Sequence, residues 1–268
     1  MCMFDGFNRK IDYLRISVTD RCNLRCRYCM PEEGIKLLRQ EDILSFNEIT
    51  DFTRVAVDNG ISKIRITGGE PLVRKNIVTL VNMISEISGI KDLSMTTNGV
   101  LLEHFARDLK TAGLQRVNVS LDTTDPDKYR YITRIGNIDD VFAGIETAKR
   151  AGLLPVKINC VVKESKEEDD ARGVADYCKL NGLEIRYIRQ MDLCRGFFSV
   201  VEGGTGGNCR ICNRLRLTAQ GMLKPCLFSP LEFDIKQLGF LRALELAVEN
   251  KPEAGHQNNN GSFYNIGG

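Results

Sequence analysis

Histidine is nearly missing from this sequence. The two that occur, His104 and His256, stand alone, with no H-E-x-x-H pair and no Ser–His pairing. Chemistry built on imidazole is therefore not expected. An excess of one charge is missing too. Thirty-seven basic residues against 35 acidic ones leave a formal +2 and a pI near 8.0, so no bulk attraction to nucleic acid or to an anionic membrane is expected. No apolar run approaches the roughly 18 residues that a bilayer span needs. The opening MCMFDGFNRK has no apolar h-region, and a cytoplasmic location is the expectation. With 268 residues, 43% of them hydrophobic, the chain can bury a sizeable core, as one large domain or one and a half ordinary ones.

What the sequence has is cysteine, ten in all: Cys2, Cys22, Cys26, Cys29, Cys160, Cys178, Cys194, Cys209, Cys212 and Cys226. In a cytosolic chain, clustered cysteines point to metal or redox chemistry before disulfides. Two clusters stand out. Cys22, Cys26 and Cys29 are spaced C-x3-C-x2-C, and Cys209, Cys212 and Cys226 are spaced C-x2-C-x13-C. Cys160 and Cys178 read as buried small hydrophobes on a strand and a helix.

Short β-branched runs alternate with longer amphipathic ones. Strands are expected at 13–18, 63–67, 92–96, 116–121, 156–162 and 184–188. Between them lie helical patterns, the first capped by Asn47 and stopped at Gly60. This alternation predicts a parallel sheet with covering helices, best fitted by an open (β/α)6 partial TIM barrel. A doubly wound sheet stays open, because periodicity does not fix strand order. The working residues are expected past the C-terminal ends of the strands. From about residue 195 the pattern changes. A glycine-rich EGGTGGN is followed by a hairpin, RLRLT and MLKPC around AQG, then a helix over 234–249 and a polar tail.

A closed tetrahedral metal site takes four protein ligands, and iron–sulfur clusters are also usually held by four cysteines. Three on one loop therefore predict a [4Fe–4S] cluster with one iron left for a substrate or cofactor. The second triad repeats the pattern. Its hairpin brings Cys226 back beside the other two and puts Arg214 and Arg216 on one face, a good setting for an anion. The plainer readings are a zinc site at the first triad, completed by Cys2 or Cys194, and a zinc knuckle at the second, completed by Cys194. Lys63, Arg65 and Lys157 are either solvated strand charges or phosphate ligands projecting into a barrel mouth.

The first triad, with Tyr28 before its last cysteine, resembles the radical S-adenosylmethionine (SAM) signature, and GGEP at 68–71 resembles that superfamily's motif for the SAM amino group. Within the superfamily the chain is similar to the GTP 3′,8-cyclase family of molybdenum cofactor biosynthesis. The similarity rests on LRISVTDRCNLRCRYCMP, KIRITGGEPLVR, TTNG, VNVSLD, EIRYI-x2-MD, CxxC-NRLRLT-x7-C and the closing Gly267-Gly268. It implies a radical SAM barrel over 1–194 and a C-terminal cluster region over 195–268. It implies two [4Fe–4S] clusters, SAM, and conversion of GTP to 3′,8-cyclo-GTP through a 5′-deoxyadenosyl radical. Cys22, Cys26 and Cys29 would hold the SAM cluster, and Cys209, Cys212 and Cys226 the auxiliary one. Tyr28, Gly69, Ser120 and Met191 would contact SAM. Arg15, Lys63, Arg65, Thr96, Lys157, Arg186, Arg214 and Arg216 would line the GTP site, with Arg15, Lys157, Arg214 and Arg216 as the catalytic set. The Gly267-Gly268 tail would insert toward that site. An electron donor and a downstream pterin-forming protein are the implied partners, with a homodimer left open. One departure is large. Only 17 residues, 192–208, separate Met191 from Cys209, where the family has several times as many, so barrel closure, the shape of the GTP pocket and activity itself are the three properties this departure bears on. The alternatives that remain are a radical SAM enzyme acting on another substrate such as a peptide, and a metal-binding protein without catalysis.

Overall fold

The computed structural model describes residues 3–191 and 199–255. Its first strand, β1 (Tyr13–Ser17), alternates as a half-buried strand should: Leu14 and Ile16 are fully buried, while Tyr13 and Arg15 face the other way. After it come α1 (Phe46–Asp58), β2 (Lys63–Thr67), α2 (Ile77–Ser85), β3 (Asp92–Thr97), α3 (Leu102–Thr111) and β4 (Arg116–Ser120). Then α4 (Pro126–Thr133) and α5 (Ile138–Arg150) precede β5 (Lys157–Val162), α6 (Asp169–Asn181) and β6 (Glu184–Arg189). The C-terminal region adds β7 (Arg214–Leu217), β8 (Met222–Lys224), β9 (Phe233–Asp234), α7 (Ile235–Leu238) and α8 (Phe240–Glu249).

One sheet holds all nine strands of the described residues, in the order β6-β5-β4-β3-β2-β1-β7-β8-β9. The six barrel strands run in sequence order and in parallel. That excludes the doubly wound alternative, whose strand order reverses part-way. Right-handed crossovers with no reversal put every covering helix on one face, leaving the other face as a barrel interior. β7 pairs in parallel with the free side of β1, and the hairpin continues outward from there. Among the described residues β6 and β9 are the sheet edges, so the barrel is open. The division expected at 194/195 falls among residues outside those described.

Local chemistry accounts for the elements. α1 is capped by Ser45, whose hydroxyl accepts from the Glu48 N–H while the Glu48 carboxylate accepts from the Ser45 N–H; Asn47, the expected cap, lies inside the helix. α4 was not anticipated from periodicity, yet Asp125 caps it and Pro126 opens it. The single helix expected over 234–249 is broken at Gly239, whose φ of +79° suits glycine. Phe52 of α1 meets Phe240 of α8 edge-on at 5.8 Å, fastening the C-terminal region to the barrel. Cys160 and Cys178 are buried, as expected. No helix among the described residues is long and apolar enough to cross a membrane.

Candidate functional site

Two ends of the barrel carry chemistry. At the C-terminal ends of the strands lies the loop of Cys22, Cys26 and Cys29. Its turn is closed by the Cys29 and Met30 N–H groups donating to the Cys26 carbonyl, at 3.0 and 2.9 Å. Arg134, just past α4, donates to the Arg25 and Met30 carbonyls and clamps the loop from outside. From the β2 side, the Gly69 N–H donates to Thr19 O at 2.7 Å and the Glu70 N–H to Arg21 O at 2.8 Å. This approach is why glycine stands there: a Cβ on Gly69 would lie 2.3 Å from the Arg21 carbonyl oxygen. The close contact is made with the cysteine loop itself.

Buried acids organise the same end. Glu70, 1% exposed, accepts from the Leu72 and Asn98 N–H groups and the Thr97 hydroxyl. Burial pushes its carboxyl up to about 7. Asn98 in turn directs its side-chain amide to Asn23 at 2.8 Å and toward the Cys22 sulfur at 3.8 Å. Asp122 accepts from the Val161 N–H and from the hydroxyl of Tyr28, which is otherwise exposed; burial raises its carboxyl to about 6. Burial, and then the charge of the neighbouring cysteines, lifts Cys26 to about 12 and Cys29 to about 11.

At the opposite, N-terminal ends of the strands the side chains are cationic. Arg15 sits opposite both Arg65 and Arg216 in the sheet register. Together with Lys63, Arg186 and Arg214 they line one cavity of about 290 Å³. Cys209, Cys212 and Cys226 line the same cavity, which extends up β6 to Met191, just past that strand's C-terminal end. The guanidiniums crowd one another. Burial, with the charges of Arg15, Arg116 and Arg186 adding to it, depresses Arg65 to about 9, and burial with Arg15 and Arg214 depresses Arg216 to about 9. Tyr13 lies among them, with Arg15 and Arg65 over its ring at 5.9 and 5.5 Å. Burial would raise its phenol, but the charges of Arg15, Arg65 and Arg214 outweigh that and hold it below its ordinary value. Such crowding is relieved by a polyanion.

The expectation that working residues sit past the C-terminal strand ends thus covers half the site, because the cations lie at the other end. Two residues of the expected nucleotide set stand outside this cavity lining. Lys157 pairs with Glu184, and Thr96 is paired in register with Asn118, its hydroxyl buried without a hydrogen-bond partner. Arg116, held by Asp92 at 2.6 Å, and Tyr13 line the cavity and were not singled out from sequence. Both had a signal, since Tyr13 alternates with Arg15 on β1 and Arg116 with Ser120 on β4.

The short link takes part in this wall. Its 204–208 stretch lines the cavity, Glu202 bridges to Tyr187 of β6, and Arg214 of β7 donates to the Thr205 carbonyl at 3.2 Å. The described part of the link therefore reaches from Tyr187 on β6 to Arg214 on β7. Cys2, Cys194 and the Gly267-Gly268 tail lie outside the described residues. Among the described residues no three His, Cys, Asp or Glu side chains converge to hold a metal ion. The three thiols, the glycine-walled loop and its buried acids fit the expected [4Fe–4S] cluster.

A radical SAM superfamily profile matches residues 16–178. The chain is 47% identical to a GTP 3′,8-cyclase of Thermodesulfovibrio yellowstonii, with 88% of each chain covered. It is 43% identical to that of Moorella thermoacetica, with 96% of each covered. The chain belongs to the GTP 3′,8-cyclase family of the radical SAM superfamily. Membership in this family brings one [4Fe–4S] cluster and SAM. The fold is shared with Streptococcus suis SuiB, solved with SAM, at a TM-score of 0.64 and 16% identity over 91% of this chain and 65% of that one. Methylornithine synthase shares it at a TM-score of 0.55 and 15% identity over 75% of this chain and 61% of that one. The Moorella alignment runs over 312 positions, more than the 268 residues here, so that cyclase carries stretches this family member lacks.

Proposed function

We propose that this chain is a radical SAM GTP 3′,8-cyclase, joining C3′ of the GTP ribose to C8 of its guanine in molybdenum cofactor biosynthesis. The observation that carries the reading is the shared cavity, in which Arg15, Lys63, Arg65, Arg186, Arg214 and Arg216 surround the same space as the second cysteine triad. Six cations suit a triphosphate of about three to four negative charges, and a peptide substrate would have no comparable need for them.

Cys22, Cys26 and Cys29 would hold the SAM cluster, with Tyr28, Gly69, Ser120 and Met191 against SAM. When bound, this pair of cofactors supplies the radical that removes the 3′ hydrogen of GTP. The protein's own work is binding, orientation and exclusion of water. Arg15, Lys157, Arg214 and Arg216 form the catalytic set, and Lys63, Arg65, Thr96 and Arg186 complete the nucleotide site, with Lys157, paired with Glu184, and Thr96 beside the cavity rather than in its lining. Cys209, Cys212 and Cys226 would hold a second [4Fe–4S] cluster, which would bind the nucleotide base. The alternating row of β4, Arg116, Asn118 and Ser120, runs from the cationic end toward the SAM end, linking the two sites along one strand. An electron donor and a pterin-forming protein that takes the product complete the scheme, in a cytoplasmic setting.

The test is an anaerobic reaction of the reconstituted protein with reductant and SAM, with and without GTP. The expected result is 5′-deoxyadenosine together with a product isomeric with GTP, both followed by mass spectrometry. Cleavage of SAM with GTP untouched would sink the cyclase reading.

A further inference from the structure

Two lysines are buried near the hairpin. Lys224, 1% exposed, pairs with Glu232 at 3.0 Å. Lys251, 3% exposed, follows α8 and has no carboxylate partner among the described residues. Its ammonium donates to the Arg214 carbonyl at 2.8 Å and the Pro225 carbonyl at 2.6 Å. Those carbonyls lie two residues after Cys212 and one before Cys226. The acidic groups that act on it are the Cys212 and Cys226 sulfurs, with a side-chain hydrogen bond to Cys212. A buried ammonium with no anion is costly, so the thiolates are the natural counter-charge.

Arg9 fastens the backbone at the third cysteine. Its guanidinium is anchored on Asp5 at 2.6 Å and donates to the Cys209 carbonyl at 2.7 Å. It also donates to the Pro252 and Glu253 carbonyls, at 2.7 and 2.9 Å, in the segment that begins with Lys251. A single hydrogen-bonded network therefore fastens the N-terminal loop, the Cys209–Cys212 turn, the open end of the hairpin and the C-terminal segment to one another.

We propose that Lys251 is a positioning residue of the second metal centre: its buried ammonium fixes the segments carrying Cys212 and Cys226 and supplies positive charge that favours the reduced state of a cluster bound there. Arg9 completes the clamp at Cys209. The proposal rests on the second triad holding a [4Fe–4S] cluster. Reduction adds negative charge to a cluster, and a nearby cation in a low-dielectric setting stabilises that state more than the oxidised one. Hydrogen-bonded partners behind metal ligands also control how firmly the metal is held.

The test uses the anaerobically reconstituted holoenzyme as wild type, Lys251→Met and Lys251→Arg. Redox titration followed by electron paramagnetic resonance reads the potential of each centre, and challenge with bathophenanthroline disulfonate reads the rate of iron loss. Lys251→Met is expected to lower the potential of the second centre, leave that of the first unmoved, and lose the second set of irons about tenfold faster or more. Lys251→Arg is expected to bring both readouts back toward wild type. An unmoved potential in Lys251→Met, or an equal fall in Lys251→Arg, overturns the proposal, since the side chain then serves packing alone. Where Lys251→Met does not fold, Lys251→Gln is held to the same two criteria. A wild type with about four irons instead of about eight overturns the second-cluster reading and this proposal with it. About eight irons with an unmoved potential overturns the proposal alone.

Discussion

The two cysteine triads offer the same three thiols in opposite electrical surroundings. At the first, Cys26 and Cys29 are pushed up to about 12 and about 11 by burial and by one another, and the charges nearby are the carboxyls of Glu70 and Asp122. At the second, burial would raise Cys212 too, but the charges of Lys251 and Arg214 override it and bring the thiol down to about 7, while at Cys226 burial outweighs the charges of Lys251 and Arg216 and keeps the thiol raised. Geometry at the first comes from backbone contacts of a glycine-walled loop, and at the second from two buried cations. The difference shows that a ligand set does not by itself choose its partner. SAM is a sulfonium cation and suits acidic surroundings, whereas a nucleoside triphosphate suits a ring of guanidiniums.

The strongest way to break this comparison is to remove one thiol from each side. Cys26→Ser is expected to abolish SAM cleavage altogether. Cys212→Ser is expected to abolish the GTP-derived product while leaving 5′-deoxyadenosine formation detectable. If the two variants fail alike, the triads do not divide the labour as proposed. Next in size is Gly69→Ala. Its added methyl carbon would lie 2.3 Å from Arg21 O, a contact with backbone that cannot swing aside. A loss of about 1–3 kcal/mol is expected, as for an overpacked core, read as a lowered Tm of the metal-free chain. The corresponding change at the other end, Gly204→Ala, meets side-chain atoms at 3.4–3.5 Å and is expected to cost far less.

The barrel end with the first triad was largely legible in the sequence, because its chemistry is local. Three cysteines fall within eight residues, GGEP follows a strand, and each strand boundary lies within a residue or two of its β-branched run. The second site was legible only in part. Arg214 and Arg216 alternate on one strand, so their shared face could be read from spacing. Lys251 and Arg9 could not, since neither sits in a motif and each acts through backbone carbonyls brought from more than twenty residues away. The orientation of the cationic end was also hidden, because alternation tells which face a side chain takes and not which end of the barrel a ligand uses. β7 joining β1, with β6 left as a sheet edge among the described residues, is a tertiary choice that no periodicity records.

A finer test exchanges charge at the cationic end. Arg216→Ala is expected to weaken GTP binding by roughly tenfold to a hundredfold, the worth of one charge-assisted hydrogen bond of about 1.5–3 kcal/mol. SAM cleavage should persist. Equilibrium binding of GTP to the metal-loaded protein checks this, and unchanged affinity would mean the triphosphate lies elsewhere. Arg216→Lys should recover part of the loss, because charge is kept while the planar fork is not.

The smallest effect separates the two ends by pH. Glu70 titrates near 7 in the folded protein, against an ordinary value of 4.5. Between those values the folded chain holds a proton that the unfolded chain has released. Its contribution to stability is therefore full below the ordinary value, falls as pH climbs through the window, and is level above about 7. Asp122, raised to about 6, adds to the same slope in its lower part. The metal-free protein is expected to melt a few degrees higher near pH 5 than near pH 8, and Glu70→Gln to flatten that difference in part. A slope unchanged in Glu70→Gln would place the titrating group elsewhere. The guanidiniums of Arg65 and Arg216, depressed only to about 9, stay charged across the whole window. Mild acid should thus neutralise the carboxyls around the first triad and leave the second site cationic, so that SAM binding weakens on acidification through the protein's own groups while its nucleotide site keeps its charge.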